Sequence, residues 1–74
     1  MINTKISVIL PTYNEKDNII PLIDELIRYL SDKNFEIIVV DDDSPDETWK
    51  LVEKKTKECH NVHLFHRKNK RGLP

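Results

Sequence analysis

Apolar residues in this chain fall into three short continuous runs, separated by longer stretches in which they recur at helical spacing. The first run, Lys5 to Leu10 (KISVIL), predicts a strand that ends at Pro11, which cannot donate to a ladder. Ile19, Ile20, Leu22, Ile23, Leu26, Ile27 and Leu30 then recur at intervals of three and four, predicting a helix from about Asp17 to Leu30 with a broad stripe on a sheet. Pro21 is tolerable within its first turn, where few ladder bonds exist to lose. The second run, Ile37-Ile38-Val39-Val40, is β-branched and does not alternate, which predicts a strand covered on both faces in the middle of a parallel sheet. A second helix is expected from Pro45 to about Glu58, with Trp49, Val52, Thr56 and Cys59 along one side and Trp49 in the core. Asn61 breaks it, and Val62 to His66 reads as a weaker third strand.

The order β-α-β-α-β implies parallel neighbours joined by right-handed crossovers. The predicted class is therefore α/β, with a parallel sheet forming one nucleotide-binding half of a doubly wound, Rossmann-like domain. At 74 residues the chain is about half of a typical domain. It ends after a basic run with no closing element, so residues 1–74 are expected to be a single partial domain. A three-stranded sheet with an unpaired side is expected to be marginally stable and to associate through its open edge.

Composition narrows the classes of function. Apolar residues make up 38% and charged residues 34%, the balance of a soluble globular chain with a small core. A net charge of -1 supplies no general attraction for nucleic acid or anionic membrane. The single cysteine, Cys59, excludes an internal disulfide and is compatible with a reducing cytosol. Neither a signal peptide nor an apolar run of the roughly 20 residues needed to span a membrane is present in the sequence. Cys59, His60, His63 and His66 do not make a zinc site, because positions 63 and 66 of a strand point to opposite faces. The basic stretch Arg67-Lys68-Asn69-Lys70-Arg71 lacks the interleaved aromatics of an RNA-binding surface.

The chemistry concentrates where the second strand ends. Asp41, Asp42 and Asp43 are followed by Ser44-Pro45-Asp46-Glu47, which reads as a helix start. Ser44 suits the N-cap, Pro45 the first helical position and Glu47 the closing position of a capping box, with acids at the positive end of the helix dipole. Parallel pairing of the first two strands would bring Pro11, Thr12, Tyr13 and Glu15 into one crevice with Val40 and the three aspartates. That is the edge at which open α/β sheets bind ligands. Carboxylates repel a bare phosphate but accept hydrogen bonds from a base or ribose, and a tyrosine ring offers a stacking face, so a sugar-nucleotide suits the crevice better. Its diphosphate would need a divalent metal or basic groups, and Arg67, Lys68, Lys70 and Arg71 could supply part of that charge. Structural roles compete with this reading: Asp41 either holds the loop or touches ligand, Tyr13 either covers the sheet edge or stacks, and Glu15 either caps the first helix or contacts ligand.

Two motifs carry a family resemblance. Ile6-Ser7-Val8-Ile9-Leu10-Pro11-Thr12-Tyr13-Asn14-Glu15 and Ile38-Val39-Val40-Asp41-Asp42-Asp43-Ser44-Pro45-Asp46 together resemble the N-terminal part of family 2 glycosyltransferases with a GT-A fold. Arg67 to Leu73 is similar to the Arg-x-x-Lys-x-Gly-Leu pattern of the dolichol-phosphate or polyprenyl-phosphate mannosyltransferase branch. The resemblance implies transfer of a hexose, mannose from GDP-mannose, to a lipid phosphate. It also implies a cytoplasmic protein working at the cytosolic face of a membrane. Pro11, Tyr13 and Glu15 would line the nucleotide pocket, and Val40 and Asp42 would contact base and ribose. A divalent metal (Mg or Mn) is implied for the full-length enzyme, on an Asp-x-Asp motif beyond this chain. No residue here is assigned to the metal or to catalysis, and the 74-residue chain alone is expected to be inactive.

Rival functions meet specific obstacles. A haloacid-type hydrolase needs a threonine where Pro45 stands, and its nucleophile strand normally comes first. A dinucleotide-binding half needs Gly-x-Gly-x-x-Gly after the first strand, whereas that turn is Pro11-Thr12-Tyr13-Asn14 and the only glycine is Gly72. A non-catalytic orphan nucleotide-binding fragment and a family 2 transferase with another donor and acceptor remain as alternatives.

Overall fold

The computed structural model describes residues 4–68. Strand β1 (Ile6–Thr12), helix α1 (Ile19–Leu30), strand β2 (Phe35–Asp41), helix α2 (Thr48–Glu58) and strand β3 (Val62–His66) follow in that order. The strands make one parallel sheet, β1-β2-β3, with β2 in the middle. Ile6 lies opposite Phe35 and Thr12 opposite Asp41, while Ile37 lies opposite Val62 and Asp41 opposite His66. All three strands therefore end together at Thr12, Asp41 and His66, as the α/β expectation requires.

One face of the sheet holds the core. Ile19 and Ile23 of α1 and Val52 of α2 are buried with Phe35, Ile37, Val39 and Val62, and Ile6, Val8, Leu10 and Leu64 pack against them. Successive right-handed crossovers that step in the same direction place their helices on the same side of a sheet. This corrects the expectation that β2 is covered on both faces. Its odd positions are buried, but Glu36, Ile38 and Val40 on the other face are only half-buried. Their neighbours Ile9 and Phe65 are 55% and 68% exposed.

The boundaries differ from expectation in informative ways. Strand β1 runs through Pro11 to Thr12. The Ile6 amide donates to Asn34 and Thr12 accepts from Asp42, so even positions of β1 bond to β2. Pro11 therefore turns its nitrogen to the outer edge, where no ladder bond is lost. Helix α1 begins at Ile19 rather than Asp17, because the Asn18 and Ile19 amides first close a turn on the Glu15 carbonyl. Pro21 falls in its first turn as anticipated, whereas Leu22 is turned out to solvent.

Helix α2 begins at Thr48, not Pro45, and the capping box does not form. Ser44 is buried and engaged by Asp41, and Glu47 takes a left-handed φ of 64°. The Thr48 amide is instead accepted by Asp46 Oδ1 at 3.0 Å, and no acid lies in the first turn. Trp49 is half-buried outside the core cluster, stacked on His66. Among the described residues no helix is long and apolar enough to cross a membrane.

Candidate functional site

Two loops meet at the C-terminal edge of the sheet, one between β1 and α1 and one between β2 and α2. The second accepts three successive amides of the first. Asn14 donates to Ser44 Oγ at 2.9 Å, Glu15 to Thr48 Oγ1 at 3.0 Å and Lys16 to Asp46 Oδ2 at 3.1 Å. The Asp46 amide donates back to Asn14 Oδ1 at 3.3 Å. Desolvation pushes the Asp46 carboxyl up, but hydrogen bonds from the Thr48 hydroxyl and the Lys16 and Thr48 amides outweigh it and hold the pKa below the usual value.

Beneath this seam Asp41 is completely buried and accepts three hydrogen bonds. Thr12 Oγ1 donates at 2.7 Å, the Ser44 amide at 2.9 Å and Ser44 Oγ at 2.7 Å. Of its two open roles, Asp41 holds the loop. The consequence for ligands is direct: the Asn14, Glu15, Lys16, Asn18 and Ile19 amides are already bonded and do not form the open cradle of N–H groups that a dinucleotide turn offers a phosphate. Asp41 is likewise too enclosed to serve as the nucleophile of a haloacid-type hydrolase.

The crevice itself has a volume of about 260 Å³ and is lined by Pro11, Thr12, Tyr13, Val40, Asp42 and Arg67. Tyr13 and Asp42 thus share one lip. Asp42 Oδ1 lies 3.7 Å from Arg67 Nε, and the Arg67 amide donates to the Asp41 carbonyl at 2.8 Å, extending the ladder past β3. Pro11, Tyr13, Val40 and Asp42 come together here as the sequence suggested. Glu15 does not. It lines an adjoining apolar groove with Leu10, Asn18, Ile19 and Leu22, and its Oε1 accepts from the Asn18 side-chain amide at 3.3 Å. Of the basic residues considered for the diphosphate, Arg67 reaches the crevice, and Lys70 and Arg71 lie outside the described residues.

Sequence reasoning missed the seam made by Ser44, Asp46 and Thr48, although a Ser-x-Asp-x-Thr spacing directly after a strand is rich in loop-bonding side chains. It also missed the link from Asp43 Oδ1 to His66 Nε2, 2.8 Å apart. These placements bear on the implied divalent metal. Asp41 is buried and engaged by Thr12 and Ser44, Asp43 faces His66, and Asp42 alone of the described carboxylates lines the crevice. No group of three or more His, Cys, Asp or Glu among the described residues could hold a metal ion. The residues described here do not fit a metal site by themselves.

The crevice thus combines an aromatic face, one carboxylate and one guanidinium at the end of a parallel sheet, and the two motifs that line it extend to a wider match. Residues 7–74 fit the model of Glycosyl transferase family 2. The chain belongs to glycosyl transferase family 2. It is 42% identical over 69 residues to a dolichol-phosphate mannosyltransferase of Pyrococcus furiosus, covering 93% of this chain and 19% of that protein. To the dolichol-phosphate mannosyltransferase of Saccharomyces cerevisiae it is 41% identical over 70 residues, 90% of this chain and 26% of the relative. A dolichyl-phosphate beta-glucosyltransferase of Dictyostelium discoideum is 35% identical over 79 residues, 95% of this chain and 24% of the relative. The family 2 chain therefore spans roughly a fifth to a quarter of the length of these curated relatives.

Proposed function

We propose that this chain is the donor-binding part of a family 2 transferase that moves mannose from GDP-mannose onto a polyprenyl or dolichyl phosphate at the cytosolic face of a membrane. The observation that carries the reading is the meeting of Tyr13, Asp42 and Arg67 in one crevice at the C-terminal edge of the sheet. The Tyr13 ring stacks a base. The Asp42 carboxylate accepts hydrogen bonds from the base edge or ribose, and a guanine edge, with adjacent N–H donors, matches a carboxylate better than uracil with one. Arg67 offsets diphosphate charge once the ligand displaces it from Asp42. A divalent metal belongs to the proposal for the whole enzyme, on residues other than those described.

Calorimetric titration of the chain with GDP-mannose and with UDP-glucose tests this. GDP-mannose should bind the more tightly, and Asp42→Asn should weaken it about tenfold, as loss of a charge-assisted hydrogen bond does. Failure of both nucleotides to bind would refute the donor reading, and preference for UDP-glucose would move it toward the glucosyltransferase relative. With one carboxylate in the crevice, the chain alone should transfer no sugar to a polyprenyl phosphate.

A further inference from the structure

His66 closes β3 at the junction of three elements. Its Nε2 lies 2.8 Å from Asp43 Oδ1, and its ring stacks on Trp49 of α2 with centroids 4.3 Å apart and planes 16° from parallel. The imidazole is only 14% exposed. An ionised carboxylate can only accept, so His66 Nε2 carries the proton and donates. Asp43 itself occupies the left-handed region at φ 54°, which aspartate tolerates better than most non-glycine residues.

The position of that turn matters because Asp42 precedes it. Asp41 ties Ser44 from below, and the Asp42 amide bonds the Thr12 carbonyl at 3.2 Å, so both ends of the turn are fixed. Neither tie engages the Asp43 side chain, which meets His66 instead. Arg67, the next residue along, reaches Asp42 from the same strand end. One ring thus touches the turn beside Asp42 and belongs to the strand end that presents Arg67.

We propose that His66 is a positioning residue for the donor nucleotide: by donating to Asp43 while stacked on Trp49, it holds the turn that aims Asp42 into the crevice. The inference rests on the donor-binding reading of that crevice. Two variants separate the hydrogen bond from the ring. His66→Phe keeps a ring against Trp49 and removes the donor, whereas His66→Gln keeps a side-chain N–H at comparable reach and removes the ring.

With GDP as the probe, His66→Phe should weaken binding about tenfold and His66→Gln should restore most of it. A purely structural role would instead track thermal stability, so the melting temperatures of both variants are measured alongside. Wild-type affinity in His66→Phe, or equal losses in the two variants, overturns the proposal. Should the wild type bind no GDP, the donor reading has failed, and the positioning role is judged on the unliganded protein. Backbone couplings and carbon shifts of Asp43 must then report a left-handed residue in the wild type and His66→Gln but not in His66→Phe. Retention of that conformation in His66→Phe overturns the positioning role independently of any ligand.

Discussion

Three consecutive aspartates at the end of β2 have three different occupations. Asp41 points into the helix-covered side and accepts from Thr12 and Ser44. Asp42 points into the crevice beside Arg67, and Asp43 turns back to His66. Their difference follows from strand alternation up to Asp41 and from the left-handed step at Asp43 after it. Asp41→Ala would strand three buried donors and should lower stability by about 3 kcal/mol, read from urea unfolding. A loss well under 1 kcal/mol would mean that water replaces the carboxylate. The crowding of acids was legible in the sequence, and so was the presence of Asp42 and Tyr13 on one lip. Which acid is structural was not, because it depends on Ser44, whose hydroxyl and amide are claimed by Asp41 rather than by a helix.

At the scale of elements, the entry to α2 shows how a local signal is overruled. Ser44-Pro45-Asp46-Glu47 satisfies the spacing of a capping box, yet Asp46 takes the capping bond and Glu47 is left at a positive φ. Glu47→Gly should therefore raise stability by roughly 0.5–1 kcal/mol, since glycine relieves the left-handed penalty and the exposed Glu47–Lys50 pair lost with it is weak. Chemical denaturation reads the sign, and a decrease would mean the penalty is relieved elsewhere. Asp46 gives the seam a pH dependence. Its folded pKa is depressed, so its contribution is fully present above the ordinary aspartate value of about 3.9 and is lost as pH falls through the lower folded value. Melting curves should show Asp46→Asn less stable than wild type at neutral pH, with the gap closing in that acid window. A gap that stays constant would mean the carboxylate charge plays no part. The strands and helices themselves were legible because each rests on a one-dimensional period, and the third strand matches its expected limits.

Taken whole, the molecule is a one-sided sheet. Both helices cover the face that bears Ile37 and Val39, and the face with Ile9 and Phe65 has no cover among the described residues. Ile37→Ala should cost about 3 kcal/mol, a large part of the few kcal/mol that a chain of this size has in reserve, whereas Phe65→Ser should change stability by less than about 0.5 kcal/mol. Thermal unfolding of the two variants distinguishes the faces, and comparable losses would mean the Phe65 face is covered in solution. The sequence by itself determined the order, type and parallel joining of the elements, because hydrophobic period and crossover handedness are properties of contiguous chain. It also determined that the β1 and β2 ends adjoin. Only the tertiary structure decided which face is buried, where α2 starts and which aspartate reaches the crevice. The local bonds of Asp41 to Ser44 and of Asp46 to Thr48 prevail over the capping box together with bonds between residues 30 to 33 positions apart, such as Asn14 to Ser44 and Glu15 to Thr48, which no window of sequence contains.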